Sequence, residues 1–216
     1  MNRQLIVIIS LVGLVAAFLV AGLVYRGQQQ AAVATQSGDH SQRFEPAHAM
    51  RLGDPAAKVV IVEFFDPACE TCAQFAPILK AMVDQNPGKV QLVERYAPFH
   101  DGSETIVAML EASRRQDKYW QTLDIMFNTQ AQWASHHRPA PERLWAFLEQ
   151  GGIDIVRLAE DARDPAIVAV IQQDLADAKA LGVTQTPEFF VNGKPLPTWG
   201  LKQLQDLVQS ELEANY

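Results

Sequence analysis

The chain has 216 residues, 48% hydrophobic and 20% charged, with two cysteines and a formal net charge of −7. That length supports one domain with a real core plus something extra, and two cysteines exclude a disulfide-framework miniprotein. The first 26 residues hold Arg3 and Arg26 and no acid, so the remainder is more acidic still, which argues against nucleic acid as a partner because phosphate binding needs a basic surface.

Leu5 to Tyr25 run for 21 residues without a charge, interrupted only by Ser10, Gly13 and Gly22. As a helix this stretch crosses a bilayer core of roughly 30 Å. A cleaved signal peptide competes, since Arg3 gives a basic start and Ala32-Val33-Ala34 has the form of a cleavage site. The run exceeds the usual apolar region of about 7 to 15 residues, so residues 1–26 are expected to be an uncleaved anchor. Arg3 and the terminal amine before the span bias the N-terminus toward the cytoplasm and the main domain toward the exterior. Gly13, Ala17 and Ala21 have a small-residue spacing suited to helix packing in a membrane, a spacing that chance also produces often. Residues 27–50, with Gln28-Gln29-Gln30 and "TQSGDHSQR", read as a flexible tether.

"KVVIVEFF" (58–65) is β-branched and aromatic and stops at Asp66-Pro67, which predicts a buried strand. "CAQFAPILKAMVDQ" predicts a helix with Phe75, Ile78, Leu79 and Met82 on its apolar face, and "KVQLVERYAPF" a second strand, so the domain opens βαβ. A long helical stretch follows. Ile106, Met109 and Leu110 mark one apolar face; Tyr119, Trp120, Leu123 and Phe127 mark another. Pro141 opens a short helix that Gly151 closes, and Asp164-Pro165 caps and starts a helix ending at Gly182. The strand "EFFV", a turn at Asn192-Gly193, a short "KPLPTW" segment and the helix "LKQLQDLVQSEL" complete the chain.

The two cysteines lie in "DPACETCAQF", at 69 and 72. A CxxC pair alone is weak evidence. Here a strand delivers Cys69 to the start of a helix, where unpaired N–H groups and the helix dipole favour an anion. The thiolate is the attacking species, so a lowered pKa makes Cys69 reactive near neutral pH. Cys72, one turn along, is placed to resolve a mixed disulfide.

These features together resemble the DsbA-like group of thioredoxin-fold thiol-disulfide oxidoreductases. "LGDPAAKVVIVEFFDPACETC" is similar to the lead-in strand and active-site turn, "GVTQTPEFFVNGK" to the second active-site segment, and Pro77 stands where many thioredoxins kink the active-site helix. The resemblance implies an α/β thioredoxin fold over 51–216, a central mixed sheet flanked by helices, with a DsbA-like helical insertion over about 101–181 and one transmembrane helix before it. It implies a cis bond at Thr186-Pro187, with both residues binding an extended substrate peptide. It also implies that Glu63, six residues before Cys69 in an apolar strand, is a buried acid that accepts the proton of Cys72. The competing reading of Glu63 is a strand glutamate that reaches solvent.

Glu70 and Thr71 stand between the cysteines and are expected to tune the redox pair. A carboxylate beside Cys69 should raise that thiol's pKa and weaken the disulfide as an oxidant. His136-His137 read as an exposed loop rather than metal ligands, His100 as a satisfied surface histidine, and Trp199 as core. The expected function is membrane-tethered exchange of disulfides with secreted or envelope proteins, without a cofactor. Oxidase work is favoured over isomerase or reductase work, and a quinone-linked oxidase or membrane reductase recharges the pair. The catalytic domain is expected to face the periplasm or exterior from a single-pass inner-membrane anchor. The alternative from another class is a copper(I)-binding module, since two thiolates suit that soft ion.

Overall fold

The computed structural model describes residues 42–135 and 138–216. The expected anchor, most of the expected tether and His136-His137 lie outside the described residues, among which no helix is long and apolar enough to cross a membrane. The unit described spans Phe44–Tyr216.

Its strands are β1 (Met50–Gly53), β2 (Val59–Phe65), β3 (Val90–Tyr96), β4 (Ala134–Ser135), β5 (Arg138–Pro139), β6 (Glu188–Val191) and β7 (Lys194–Pro195). Five form one mixed sheet in the order β1-β3-β2-β6-β7, and β4 pairs with β5 apart from it. β2 and β3 are parallel, and the other pairs in the sheet are antiparallel. The helices are α1 (Glu70–Gln85), α2 (Ser103–Ser113), α3 (Tyr119–Trp133), α4 (Pro141–Gln150), α5 (Ile155–Asp161), α6 (Pro165–Ala180) and α7 (Leu201–Asn215). Helices α2 to α6 fill the connection between β3 and β6.

The sheet is covered on both faces, which is why β2 reads as a continuous apolar run rather than an alternation. Val59 and Ile61 of β2, Val90 and Leu92 of β3 and Phe189 of β6 pack against Phe75, Leu79 and Val83 of α1 and Leu204 and Val208 of α7. Burying each such side chain stabilises the fold by about 1.5–3 kcal/mol. The alternate residues Val62, Phe64, Val93 and Phe190 pack on the other face with Ala178, Val183 and Phe44. A period of two therefore assigns Glu63 and Glu94 to the α1 face and Arg95 to the α6 face.

Arg95 is fully buried, and its charge is matched on α6: Nε and Nη2 reach Asp174 at 3.0 and 2.8 Å, and Nη2 reaches Asp177 at 2.8 Å. Asp174 also accepts the Tyr96 N–H at 2.7 Å and meets His48 Nε2 at 2.6 Å. This cluster fastens the helical connection to the sheet.

One boundary differs from that expected, and two short elements, β1 and α5, are added. The folded unit begins before residue 51: Phe44 is buried with its ring 4.9 Å from that of Phe190, and Met50 starts β1 beside β3. β1 escapes a sequence reading because its four residues lack a sustained apolar pattern. Helix α5 is short, and its signal is a cap, Asp154 Oδ1 accepting the N–H groups of Val156 and Arg157 at 3.1 and 3.0 Å. The Asn192-Gly193 turn is as anticipated, both residues having positive φ, 49° and 75°.

Candidate active site

β2 ends where Asp66 takes over the backbone. The Asp66 carboxylate is fully buried; Oδ1 accepts the Ala68 N–H at 2.8 Å, and Oδ2 accepts the His100 N–H at 3.1 Å with the His100 ring Nδ1 at 2.7 Å. From the other side Gln130 of α3, itself buried, donates from Nε2 to the carbonyls of Pro67 and Cys69 at 2.8 and 2.9 Å. The strand-to-helix turn is thus held by side chains from β2, the loop after β3 and the helical connection.

Cys69 is the N-cap of α1. Its Sγ accepts the Cys72 N–H at 3.4 Å and lies 3.2 Å from the Thr186 carbonyl, to which the thiol donates. Its pKa is lowered to about 5: the Cys72 thiol, the Thr186 side chain and the backbone N–H groups of Cys72 and Thr71 all stabilise the thiolate, against the opposing effect of burial. Cys72, with no exposed surface, is pushed the other way by burial, by the hydrogen bond it gives Cys69 and by the charge of Glu63. Two chemically identical thiols one turn apart are therefore an anion and a retained acid.

Glu70 is not among the foremost influences on the Cys69 thiol. Its side chain is exposed, and the donors within reach of Cys69 hold the thiol low despite the neighbouring carboxylate. Water screens an exposed charge, whereas N–H groups at a helix start point at the sulfur. Thr71 acts through its backbone N–H.

Glu63 is 2% exposed, so its carboxyl does not reach solvent along the strand. The parallel pairing sets it opposite Glu94 of β3, 5% exposed, so two buried carboxyls face one another across the strands. Burial, and then the neighbouring Glu94, raise Glu63 well above the usual carboxyl range. Burial raises Glu94 to about 8. The thiolate of Cys69 also acts on Glu63, and Glu63 on Cys72, so the Glu63 charge is felt at both sulfurs.

The Thr186-Pro187 peptide is cis, and it brings the Thr186 carbonyl against Cys69. Trp199, expected in the core, is 46% exposed; its Nε1 donates to the Pro187 carbonyl at 3.0 Å and its ring lies 5.6 Å from that of Phe75. An indole with one polar edge can brace this loop while its face stays open to solvent. His100, expected to be a satisfied surface residue, is satisfied by Asp66 but mostly covered. That contact, with smaller contributions from Cys69 and Glu70, raises its pKa.

The structure thus brings together Glu63, Cys69, Thr71, Cys72, Thr186 and Pro187, and leaves the Glu70 side chain outside the constellation. Sequence reasoning missed Glu94, Asp66 and Gln130. A second glutamate inside an apolar strand was a visible signal for Glu94, whereas its pairing with Glu63 depends on register. The dithiol pair, one sulfur poised as a nucleophile and the other buried above an acid, is suited to forming and resolving a mixed disulfide.

A family model described as Thioredoxin matches residues 45–210. The chain is 29% identical over 144 residues to the Na+/H+ antiporter NhaA of Herminiimonas arsenicoxydans, covering 67% of this chain and 22% of that one. It is 27% identical over 170 residues to a Rickettsia conorii protein provisionally named a protein-disulfide oxidoreductase, covering 76% and 60%. The chain therefore spans about a fifth of the antiporter relative and three fifths of the Rickettsia one. Among solved structures, a thioredoxin-like oxidoreductase from Silicibacter pomeroyi superimposes with a TM-score of 0.68 at 28% identity, covering 80% of this chain and 97% of that one. The α-DsbA1 of Wolbachia pipientis superimposes at 0.66 and 19% identity, covering 81% and 96%, a likeness of fold. With that family model matched over residues 45–210, the chain belongs to the thioredoxin family.

Proposed function

We propose that this chain is a thiol-disulfide oxidoreductase that exchanges disulfides with protein substrates through Cys69 and Cys72. The observation that carries the reading is the Cys69 sulfur as N-cap of α1, receiving the Cys72 N–H and facing Thr186 beside the cis Pro187. In the oxidising direction a substrate thiolate attacks Cys69 Sγ, the Cys69–Cys72 bond breaks and its electron pair goes to Cys72. A second substrate thiolate then attacks the substrate sulfur of the mixed disulfide and releases Cys69 as the stabilised thiolate. In reverse, Cys72 attacks the mixed disulfide, gives its proton to Glu63 and expels the substrate thiolate. Thr186 and Pro187 bind the substrate backbone beside Cys69. Oxidation is the favoured direction, because a thiolate held near pKa 5 stabilises the reduced product.

The domain works outside the cytoplasm, tethered by the apolar run Leu5–Tyr25 and recharged by a membrane redox partner. A solved neighbour from Salmonella enterica is described as periplasmic, which supports the compartment. A C-terminal reporter active only in the cytoplasm would refute this placement. For the chemistry, oxidation of a reduced protein substrate is followed with wild type, Cys69→Ala and Cys72→Ala, with bound metal quantified on the same samples. The expected result is exchange by wild type, none by Cys69→Ala and trapped mixed disulfides with Cys72→Ala. Full activity in Cys69→Ala, or bound copper(I) without exchange, would overturn the reading.

A further inference from the structure

Cys72 has no exposed surface and Glu63 is 2% exposed, so a proton passed from one to the other is still inside the protein. Glu94 is the next group. It lies opposite Glu63 in the β2–β3 pairing, and two carboxyls buried side by side cannot both ionise without strong like-charge repulsion, so the pair retains a proton. Glu63 Oε1 and Glu94 Oε2 are buried oxygens without a hydrogen-bond partner among the described residues. Glu94 also lines a cleft of about 220 Å³ between α1 and α3, whose walls run through Ala73 and Phe127 to the exposed Pro77, Lys80 and Asp124. A carboxyl lining a cleft whose exposed walls carry Lys80, Asp124 and Asn128 is placed to exchange protons with the water there.

We propose that Glu94 is the second carboxyl of a proton relay, passing the proton that Cys72 gives up through Glu63 to water in the cleft between α1 and α3. The inference rests on the exchange reading above. In the resolving step the Cys72–H bond breaks as Cys72 sulfur bonds to Cys69 sulfur, and the substrate leaves with the electron pair of its sulfur–sulfur bond. The proton bonds to Glu63, the proton shared by the carboxyls shifts, and Glu94 releases one to water. One proton enters the pair and one leaves it, so the pair is unchanged after each turnover. When the Cys69–Cys72 bond is cleaved by a substrate, the same path runs inward and protonates Cys72. The titratable groups around the pair are Cys69, Cys72 and Lys80 of α1, Tyr119 and Asp124 of α3, and beyond Tyr119, Tyr96 and Glu111. Met50 of β1 and Phe189 of β6 lie opposite the two glutamates and contribute no charge.

The test mixes fully reduced protein with excess 5,5′-dithiobis(2-nitrobenzoate) in a stopped-flow instrument from pH 6 to 9. The first release of the coloured thiolate reports attack by Cys69; the second reports resolution by Cys72. Glu94→Gln keeps the volume and a hydrogen bond but cannot ionise. It is expected to leave the first phase unchanged, slow the second about tenfold or more at pH 7, and flatten its pH dependence. Glu94→Ala is expected to show the same defect and to regain rate with added formate, which fits the widened cleft. Absence of the first phase in wild type would refute the exchange reading itself. Two phases in Glu94→Gln that match wild type at every pH would overturn the relay alone. A uniform slowing in Glu94→Ala that formate does not relieve would also overturn it, by assigning Glu94 a structural role.

Discussion

Titrating Cys69 changes how many protons accompany reduction of the Cys69–Cys72 disulfide, and the site places that change near pH 5. In the reduced protein Cys69 is a thiolate above about pH 5, while Cys72 is held as a thiol. Reduction therefore takes up two protons with two electrons below pH 5 and one proton above it. A tenfold change in the equilibrium constant of a two-electron couple is about 30 mV, so the potential should fall by about 60 mV per pH unit below pH 5 and about 30 mV above it. Free cysteines near 8.5 would keep the steeper slope throughout the neutral range. The assay equilibrates the pair with glutathione buffers of known potential from pH 4 to 8. A single slope near 60 mV up to pH 8 would refute the assignment. The same shift sets a stability rule. The folded pKa is depressed, so the thiolate's contribution is fully present above the unfolded value near 8.5 and is lost as pH falls through about 5. The oxidised form has no such group, so the stability of reduced relative to oxidised protein should rise between pH 5 and 8.5. In Cys72→Ala the foremost donor to the sulfur is lost, and the thiolate absorbance midpoint should move above 5 but stay below that of a free thiol, because the Thr186 and backbone donors remain.

Asp174→Ala takes from the buried Arg95 the carboxylate that meets its Nε and Nη2 and should cost about 3–5 kcal/mol in denaturant unfolding; an unchanged midpoint would mean the cluster does not fasten α6. His100→Ala should destabilise by about 1–2 kcal/mol at acidic pH. The folded pKa of His100 is raised, so its charge-dependent contribution is present below about 6.5 and fades as pH climbs through the folded value, and a deficit that grew with pH would contradict the Asp66 pairing. Gln130→Ala removes both donors to the Pro67 and Cys69 carbonyls and should cost about 1–3 kcal/mol; the check is thermal unfolding of the reduced protein. Glu70→Gln should leave the Cys69 thiolate midpoint near pH 5, as an exposed charge is worth about 0–1 kcal/mol; a large fall would restore the carboxylate as the controlling neighbour.

The elements that bury wide apolar faces were legible in the sequence, because the period of β2 and the helical spacing of Phe75, Ile78, Leu79 and Met82 are local properties, although Val83 rather than Ile78 and Met82 is the buried companion of Phe75 and Leu79. Proline and aspartate marked the starts of α4 and α6 in the same way. β1 was not legible, since a short edge strand is defined by its partner β3 and its own four residues carry little signal. In the site, Cys69 and Cys72 were readable from spacing and from the helix that follows them. Glu94 and Gln130 were not, because each acts across a distance in sequence that only the sheet register or the fold of α3 closes. Glu70 stands beside Cys69 in sequence, but its side chain is exposed, and the foremost donor to the sulfur is the Cys72 thiol one turn along the helix. Trp199 was misread for a related reason, since an aromatic near a strand suggests core while its ring edge is spent on the Pro187 carbonyl.

The opposite shifts of the two thiols follow from a single turn of helix, and they assign the two halves of the reaction to different surroundings. Cys69 sits where N–H groups converge, so the sulfur leaves readily as an anion and is the better target for an incoming thiolate. Cys72 sits one turn deeper, over Glu63, where an anion has few donors and the nearest charge repels it. Attack by Cys72 is therefore unfavourable unless its proton is taken as the bond forms, and cleavage at Cys69 is unfavourable unless a proton is returned to Cys72 as the bond breaks. The relay proposed for Glu63 and Glu94 would meet both demands, since two buried carboxyls side by side retain a proton between them. A relay that works equally in both directions sets the rate of exchange but not its direction. The direction then rests on how strongly the Cys69 thiolate is stabilised relative to the partner's, which is why the pH at which the potential changes slope is the quantity to measure.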